Sequence, residues 1–233
     1  MKKTFQIALV AIFCAATSFA HADFTEGFDV VVPLPTGWAQ QNLSFTPSTG
    51  YFQGNPAVFA AQAGATNAYA GVNFQSIGAG AGQISNWLFA PQTNMNNGDT
   101  FSFWTRTVDT VNFPDRLEVR LSTNGASVDA GATTTSVGDF TTLLATINPG
   151  LTTTGYPSVW TQFTITLSGL SGPSNGRFAF RYEVPDGGPA GANSDYIGID
   201  TVQFLQAIPE PSSAIAIACA GTFACLIRRR RVA

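Results

Sequence analysis

Histidine occurs once in this 233-residue chain, lysine twice and cysteine three times. All six lie near the two ends, at Lys2, Lys3, Cys14, His21, Cys219 and Cys225, so residues 23–207 contain none of them. Within that stretch no disulfide can form. A Ser-His-Asp or Cys-His arrangement cannot be assembled without histidine or cysteine. A zinc site built from the usual Cys and His ligands is excluded, as is Schiff-base chemistry, which needs lysine. The glycine-rich run Gly78-Ala79-Gly80-Ala81-Gly82 lacks the Lys-Ser/Thr that completes a phosphate loop and reads as a flexible connection.

Positive charge is also scarce. Residues 23–207 carry five arginines (Arg106, Arg116, Arg120, Arg177 and Arg181) against thirteen Asp and Glu, a balance of −8. A lysine-free, acidic segment of this kind is a poor partner for nucleic acid. It is better suited to Ca²⁺, a hard cation that takes oxygen ligands.

The ends are a different matter. Met1-Lys2-Lys3 is a basic start, and an apolar run from Phe5 to Phe19 leads to Ala20-His21-Ala22. These are the parts of a secretory signal, residues 1–22, with cleavage expected after Ala22 and Ala20 as the alternative. Signal peptidase is the implied processing partner. At the other end, Ala214 to Ile227 is free of charge and is followed by Arg228-Arg229-Arg230-Arg231. As a helix it would reach roughly 21 Å, short for a membrane span. Arginines stay on the cytoplasmic side, so residues 23–207 are expected outside the cytoplasm.

Pro209-Glu210-Pro211, the short apolar segment and the arginine cluster together resemble the PEP-CTERM sorting signal of Gram-negative bacteria, over residues 208–233. That resemblance implies a short transmembrane helix, processing by an exosortase, passage through the inner membrane, and delivery to the outer envelope or the extracellular matrix.

Between the ends lie 185 residues, enough for one domain with a substantial core. Short runs of alternating apolar and polar residues predict strands rather than helices. They are clearest at 101–105, 117–121, 162–167 and 178–182, with further strands expected at 24–31, 69–74, 84–89, 140–147 and 196–205. About nine strands with one buried face each predict an all-β, jelly-roll-like antiparallel sandwich. Residues 32–67, 122–138 and 185–194 read as long loops.

Several phrases in order resemble the choice-of-anchor J domain, which is related to cleaved-adhesin domains. They include Phe24-Thr25-Glu26-Gly27-Phe28-Asp29, Pro35-Thr36-Gly37-Trp38, Ile84-Ser85-Asn86-Trp87-Leu88-Phe89, Val159-Trp160-Thr161-Gln162-Phe163 and Asp195-Tyr196-Ile197-Gly198-Ile199-Asp200. The resemblance implies a jelly-roll sandwich without implying one activity. In related jelly rolls an acid near the first strand and one on the last share a structural Ca²⁺; the matching positions are Glu26 and Asp200.

Two further chemistries are open. Trp38, Tyr51, Tyr156 and Trp160 lie in or near predicted loops, where aromatics can hold sugar rings, whereas Trp87 and Trp104 lie in strands and are expected to pack. Paired carboxylates can hydrolyse glycosides without His or Cys, and Asp115 with Glu118, or Asp186 with Asp195, are candidates. Glu118 alternates with Leu117 and Val119 and is expected to face water. Arg177 and Arg181 are expected to form cross-strand salt bridges.

The leading expectation is therefore an exported, non-enzymatic envelope or matrix protein that mediates adhesion or associates with extracellular polysaccharide. A carbohydrate-binding module with a defined glycan is the alternative, and a glycosidase-like enzyme the third reading.

Overall fold

The computed structural model describes residues 22–207. The signal residues 1–21 (Ala20 included) and the tail 208–233, with Pro209, Glu210, Pro211 and Arg228 to Arg231, lie outside the described residues. Ala22 is the first residue of the first strand.

Twelve strands form two antiparallel sheets. In the first, β10 (Thr161–Thr166), β7 (Thr100–Thr107), β12 (Tyr196–Leu205), β4 (Ala70–Asn73) and β3 (Phe52–Gln53) lie in that order, and β1 (Ala22–Glu26) also pairs with β12. In the second the order is β2 (Ala39–Asn42), β5 (Gly82–Phe89), β11 (Ser174–Gly187), β8 (Leu117–Ser122) and β9 (Thr142–Ile147), with β6 (Thr93–Met95) on β11. The described residues contain no α-helix, only a 3₁₀ turn at Phe74–Ser76. None of their helices is long and apolar enough to cross a membrane.

Alternation within the strands makes the core. Phe101 and Phe103 of β7, Ile197, Ile199 and Phe204 of β12, Leu117 and Val119 of β8, and Phe178 and Phe180 of β11 are all fully buried in one cluster. Phe101 and Phe178 stack across the two sheets at 4.1 Å with their planes 2° apart. Phe103 meets Phe180 edge-on at 4.9 Å.

The outer faces are covered as well. Residues 54–68 lie over the first sheet, where Phe59, Tyr69 and Tyr196 form a second cluster with Trp160. Two glycines make room for it. A Cβ on Gly71 would lie 2.6 Å from the Tyr196 hydroxyl, and one on Gly198 would lie 2.8 Å from the Trp160 ring. Residues 124–140 cover the second sheet, where Phe140 and Ala130 pack on Trp87 and Phe89. This double burial explains why β5 is apolar almost without interruption.

The sandwich expected from the alternation is present, with corrections in detail. The first strand ends at Glu26 rather than Val31, and the expected loop 32–67 contains β2 and β3. Strand β11 extends from Ser174 to Gly187. Glu118 does not face water: its side chain is 12% exposed, and it accepts from Arg120 Nε at 2.7 Å and Arg181 Nη1 at 3.2 Å. Arg181 makes the expected cross-strand pair, opposite Glu118 in the register. Arg177 does not, and instead donates to the carbonyls of Gly37, Ala90 and Ala126.

Candidate functional site

Most of the aromatics nominated for sugar contact are not available. Trp38, Tyr51 and Tyr156 are buried. Trp160 is half-buried, and its indole N–H donates to Ala60 O at 2.8 Å, holding the covering segment 54–68. Trp87 is fully buried, as expected, and Trp104 is half-buried.

The proposed calcium ligands do not converge. Glu26 stands opposite Val202, a core residue, whereas Asp200 stands opposite Trp104. The register shifts between Asp200 and Gln203, and Thr201 takes a left-handed φ of 44° there. A bulge of this kind breaks the alternation of faces, so the two carboxylates leave the sheet on different sides. Both Asp200 oxygens are already occupied. Oδ2 accepts from the amides of Gln62 (2.8 Å) and Ala63 (3.2 Å), and Oδ1 accepts from the amide and hydroxyl of Thr201. Glu26 Oε1 accepts from Phe28 N at 2.7 Å. Calcium takes six to eight oxygens. Among the described residues no three His, Cys, Asp or Glu come together as a metal site. The residues therefore do not fit a shared calcium; Asp200 instead pins segment 62–63 onto β12.

The glycosidase pairs are also separated by their surroundings. Asp115 is fully buried. Its Oδ2 accepts from Thr107 Oγ1 at 2.6 Å, and its Oδ1 from the Tyr182 hydroxyl and, at 2.8 Å, from the Asp195 amide. Burial pushes its carboxyl up to about 6, against the pull of those hydrogen bonds. Glu118 goes the other way. Burial alone would raise it, but the hydrogen bonds and charges of Arg120 and Arg181 hold it below the usual range. It sits beneath segment 124–140, away from Asp115's network. Asp186 is exposed.

Asp195 is placed differently. It precedes β12, with its amide committed to Asp115 and its carbonyl accepting from Phe74 N at 3.2 Å. Among the described residues, no group donates to its carboxylate. Partial burial raises its pKa. Asp195 lines a groove of about 480 Å³ walled by Phe52, Phe74 and Tyr196. A smaller hollow of about 190 Å³ shares Phe74 and Asp195 and adds Phe113, which is 46% exposed. The polar lining is Thr49, Gln53, Asn55, Asn73 and Gln75. Asn73 Oδ1 accepts from Gln75 N at 2.9 Å and caps the 3₁₀ turn, which sets Gln75 at the rim. Asn55 Oδ1 accepts from Ala57 N at 3.0 Å. The side-chain amide N–H groups of Asn55 and Gln75, both lining residues, have no protein acceptor among the described residues.

Sequence reasoning named Asp195 but not Phe52, Asn55, Asn73, Phe74 or Gln75. Phe52 and Asn55 lie in the expected loop 32–67, Asn73 and Phe74 end an expected strand, and the local signal was Asn73 two residues before Gln75, a turn-capping pattern.

No protein-family model matches the sequence, and no curated protein matches it. Solved structures do match. The K1 cleaved adhesin domain of Lys-gingipain from Porphyromonas gingivalis W83 aligns with a TM-score of 0.54 at 20% identity, covering 80% of this chain and 98% of that one. The K3 cleaved adhesin domain of the same protein aligns at 0.50 and 17% identity, covering 81% and 100%. Identities this low bear on the fold alone, so the conclusion is that residues 22–207 form an antiparallel two-sheet sandwich with an adhesin-like fold.

Proposed function

We propose that this is an exported envelope or matrix protein whose jelly-roll-like domain associates with extracellular polysaccharide without chemical turnover. One observation carries the binding part: Asp195, half-buried and with an unpaired carboxylate among the described residues, lines one groove with aromatic rings and amide side chains. Sugars present apolar ring faces to aromatics and vicinal hydroxyls to carboxylates and amides, and this groove holds all three groups. It contains no arginine, and the domain carries net −8 in its 185 residues, so neutral glycans are favoured over acidic ones.

Export, signal peptidase cleavage at Ala22 and exosortase sorting through Pro209-Glu210-Pro211 and Arg228 to Arg231 rest on the two sequence ends. An envelope location would place the groove among matrix polysaccharides.

Affinity electrophoresis in gels of neutral polysaccharide tests the reading. The protein is expected to be retarded, and Asp195→Ala is expected to lose at least about tenfold in affinity, the loss of a charged hydrogen-bond acceptor. Asn55→Ala should weaken retention less. An unretarded protein, or full retention by Asp195→Ala, would sink the proposal. Turnover abolished by a single carboxylate change would favour the glycosidase instead.

Calcium is expected to leave the melting temperature unchanged, because a cation at Asp200 would have to displace four donated hydrogen bonds. A rise with Ca²⁺, reversed by chelator and absent in Glu26→Gln, would restore Glu26 and Asp200 as its ligands.

A further inference from the structure

Six strands of the two sheets have one open edge, and they are not equally protected: β1 carries Asp23 and Glu26, β6 has three residues, and four more end the strand orders. An exposed strand edge presents unpaired N–H and C=O groups, and proteins blunt such edges by shortness, charge, proline, bulges or cover. Strand β3 has two residues. Strand β2 is bordered by segment 49–51, tied on by Gln40 Oε1 to Tyr51 N (2.6 Å) and by Asn42 Nδ2 to Thr49 O (2.9 Å). Strand β9 carries a bulge, since Val119 and Arg120 of β8 face Ala145 and Leu143 with Leu144 left over.

Strand β10 has none of these devices. Its six residues Thr161-Gln162-Phe163-Thr164-Ile165-Thr166 contain no charge and no proline. They pair with β7 without a register shift. Gln162, Thr164 and Thr166 are exposed. Just past the strand, Leu167 N donates to Asp99 O at 2.8 Å, continuing the register that sets Thr166 opposite Thr100. That bond fixes the phase. In an antiparallel ladder alternate residues turn their backbone groups to one neighbour. Odd residues therefore face β7, and Gln162, Thr164 and Thr166 turn theirs to the open edge.

We infer that β10 pairs with β10 of a second copy of this chain, joining the first sheets of two molecules about a two-fold axis through Thr164. In this register Thr164 lies opposite its own copy, Gln162 opposite Thr166, and Phe163 opposite Ile165. All three outward-facing residues then exchange both backbone hydrogen bonds. Each cross-strand pair joins like with like: Thr with Thr, amide with hydroxyl, and aromatic with β-branched, all favourable and uncharged. A second copy fits better than a charged partner strand, because the edge offers no charge to complement while its own sequence complements itself. The inference is independent of what the groove binds.

Sedimentation equilibrium, on the full chain in detergent and on residues 22–207, which hold a complete core, tests it. A concentration-dependent dimer is expected. Thr164→Lys and Thr164→Glu each place like charges face to face, and each should weaken the dimer at least about tenfold. Mixed together, the two variants should recover a heterodimer. Because Thr164 is exposed, both should keep the near-UV spectrum of the folded protein. Amide exchange at Gln162, Thr164 and Thr166 should slow as concentration rises. A protein that stays monomeric up to roughly 1 mM, a dimer indifferent to Thr164, larger assemblies, or concentration-independent exchange at those three amides would each overturn the inference.

Discussion

Asp115→Ala is expected to lower the unfolding free energy by about 3–5 kcal/mol, measured as a fall in urea midpoint at unchanged slope. Asp115 is fully buried where β7, β8, β11 and β12 meet. Alanine would leave the Tyr182 hydroxyl and the Asp195 amide without an acceptor; Thr107 Oγ1 would retain Tyr196 O at 3.0 Å. Asp115→Asn keeps the shape and one acceptor, and should cost about 1–2 kcal/mol.

The same residue gives the domain an unusual pH profile. Its folded pKa, about 6, lies above the ordinary 3.8. A raised acid favours the folded state when protonated. Its contribution is fully present below the ordinary value and is lost as pH rises through about 6. The structure accommodates the added proton: Thr107 can donate to Tyr196 O and accept from the protonated carboxyl. Stability is therefore expected to increase as pH falls from 7 toward 5, by about 1 kcal/mol from this group, and to go on rising toward its ordinary value. Burial also raises Glu26, Asp195 and Asp200, which act in the same direction. Glu118 opposes them. Held low by Arg120 and Arg181, it contributes stability above its ordinary 4.5 that is lost as pH falls further. The maximum should lie below pH 5, where the loss at Glu118 sets in, and Asp115→Asn should flatten the slope between pH 7 and 5. A maximum at neutral pH in both proteins would show that Asp115 titrates normally.

Arg181→Ala should be of similar severity, about 3–5 kcal/mol. Arg181 is 4% exposed, and its guanidinium lies 5.1 Å over the Trp87 ring. It donates to Ser85 Oγ at 3.0 Å, Glu118 Oε2 at 3.2 Å and Thr134 O at 2.8 Å. Removing it leaves a void and frees segment 124–140 from the sheet. Proteolysis within 124–140 should then accelerate before the core opens. Arg181→Met tests the cause. Glu118 keeps Arg120 as its partner, and methionine refills the space, so the loss should shrink to about 1–2 kcal/mol. Equal losses in the two variants would mean that charge, not packing, holds the segment down.

Strand identity was legible from the sequence because burial of one sheet face imposes a two-residue period that survives in isolation. Phe101, Phe103, Leu117, Val119, Phe178 and Phe180 all point inward as that period requires. Where both faces are buried, as in β5, the period fades and only the apolar run remains. Strands β2, β3 and β6 were not legible, because two to four residues hold too little pattern and, unlike the equally short β4, these three lack an apolar run. The outer faces misled for a related reason. Glu118 and Arg181 alternate as solvent-facing residues do, but segment 124–140 covers them, and no local signal reports that a distant segment folds over a sheet.

The candidate site shows the same division. Asp195 was visible as a carboxylate but not as an unpaired one, since that depends on Phe74 and Asp115 taking its backbone groups while no described residue donates to its side chain. Glu26 and Asp200 lie on neighbouring strands, and only the bulge at Thr201 sends them to opposite faces. Composition acts regardless of folding: a domain without His, Cys or Lys loses most nucleophilic and metal chemistry wherever its residues lie. Convergence, by contrast, comes only with the packed fold. Hydrogen bonds and burial act over a few ångströms, and residues far apart in the chain meet, or miss, only after the sheets have packed.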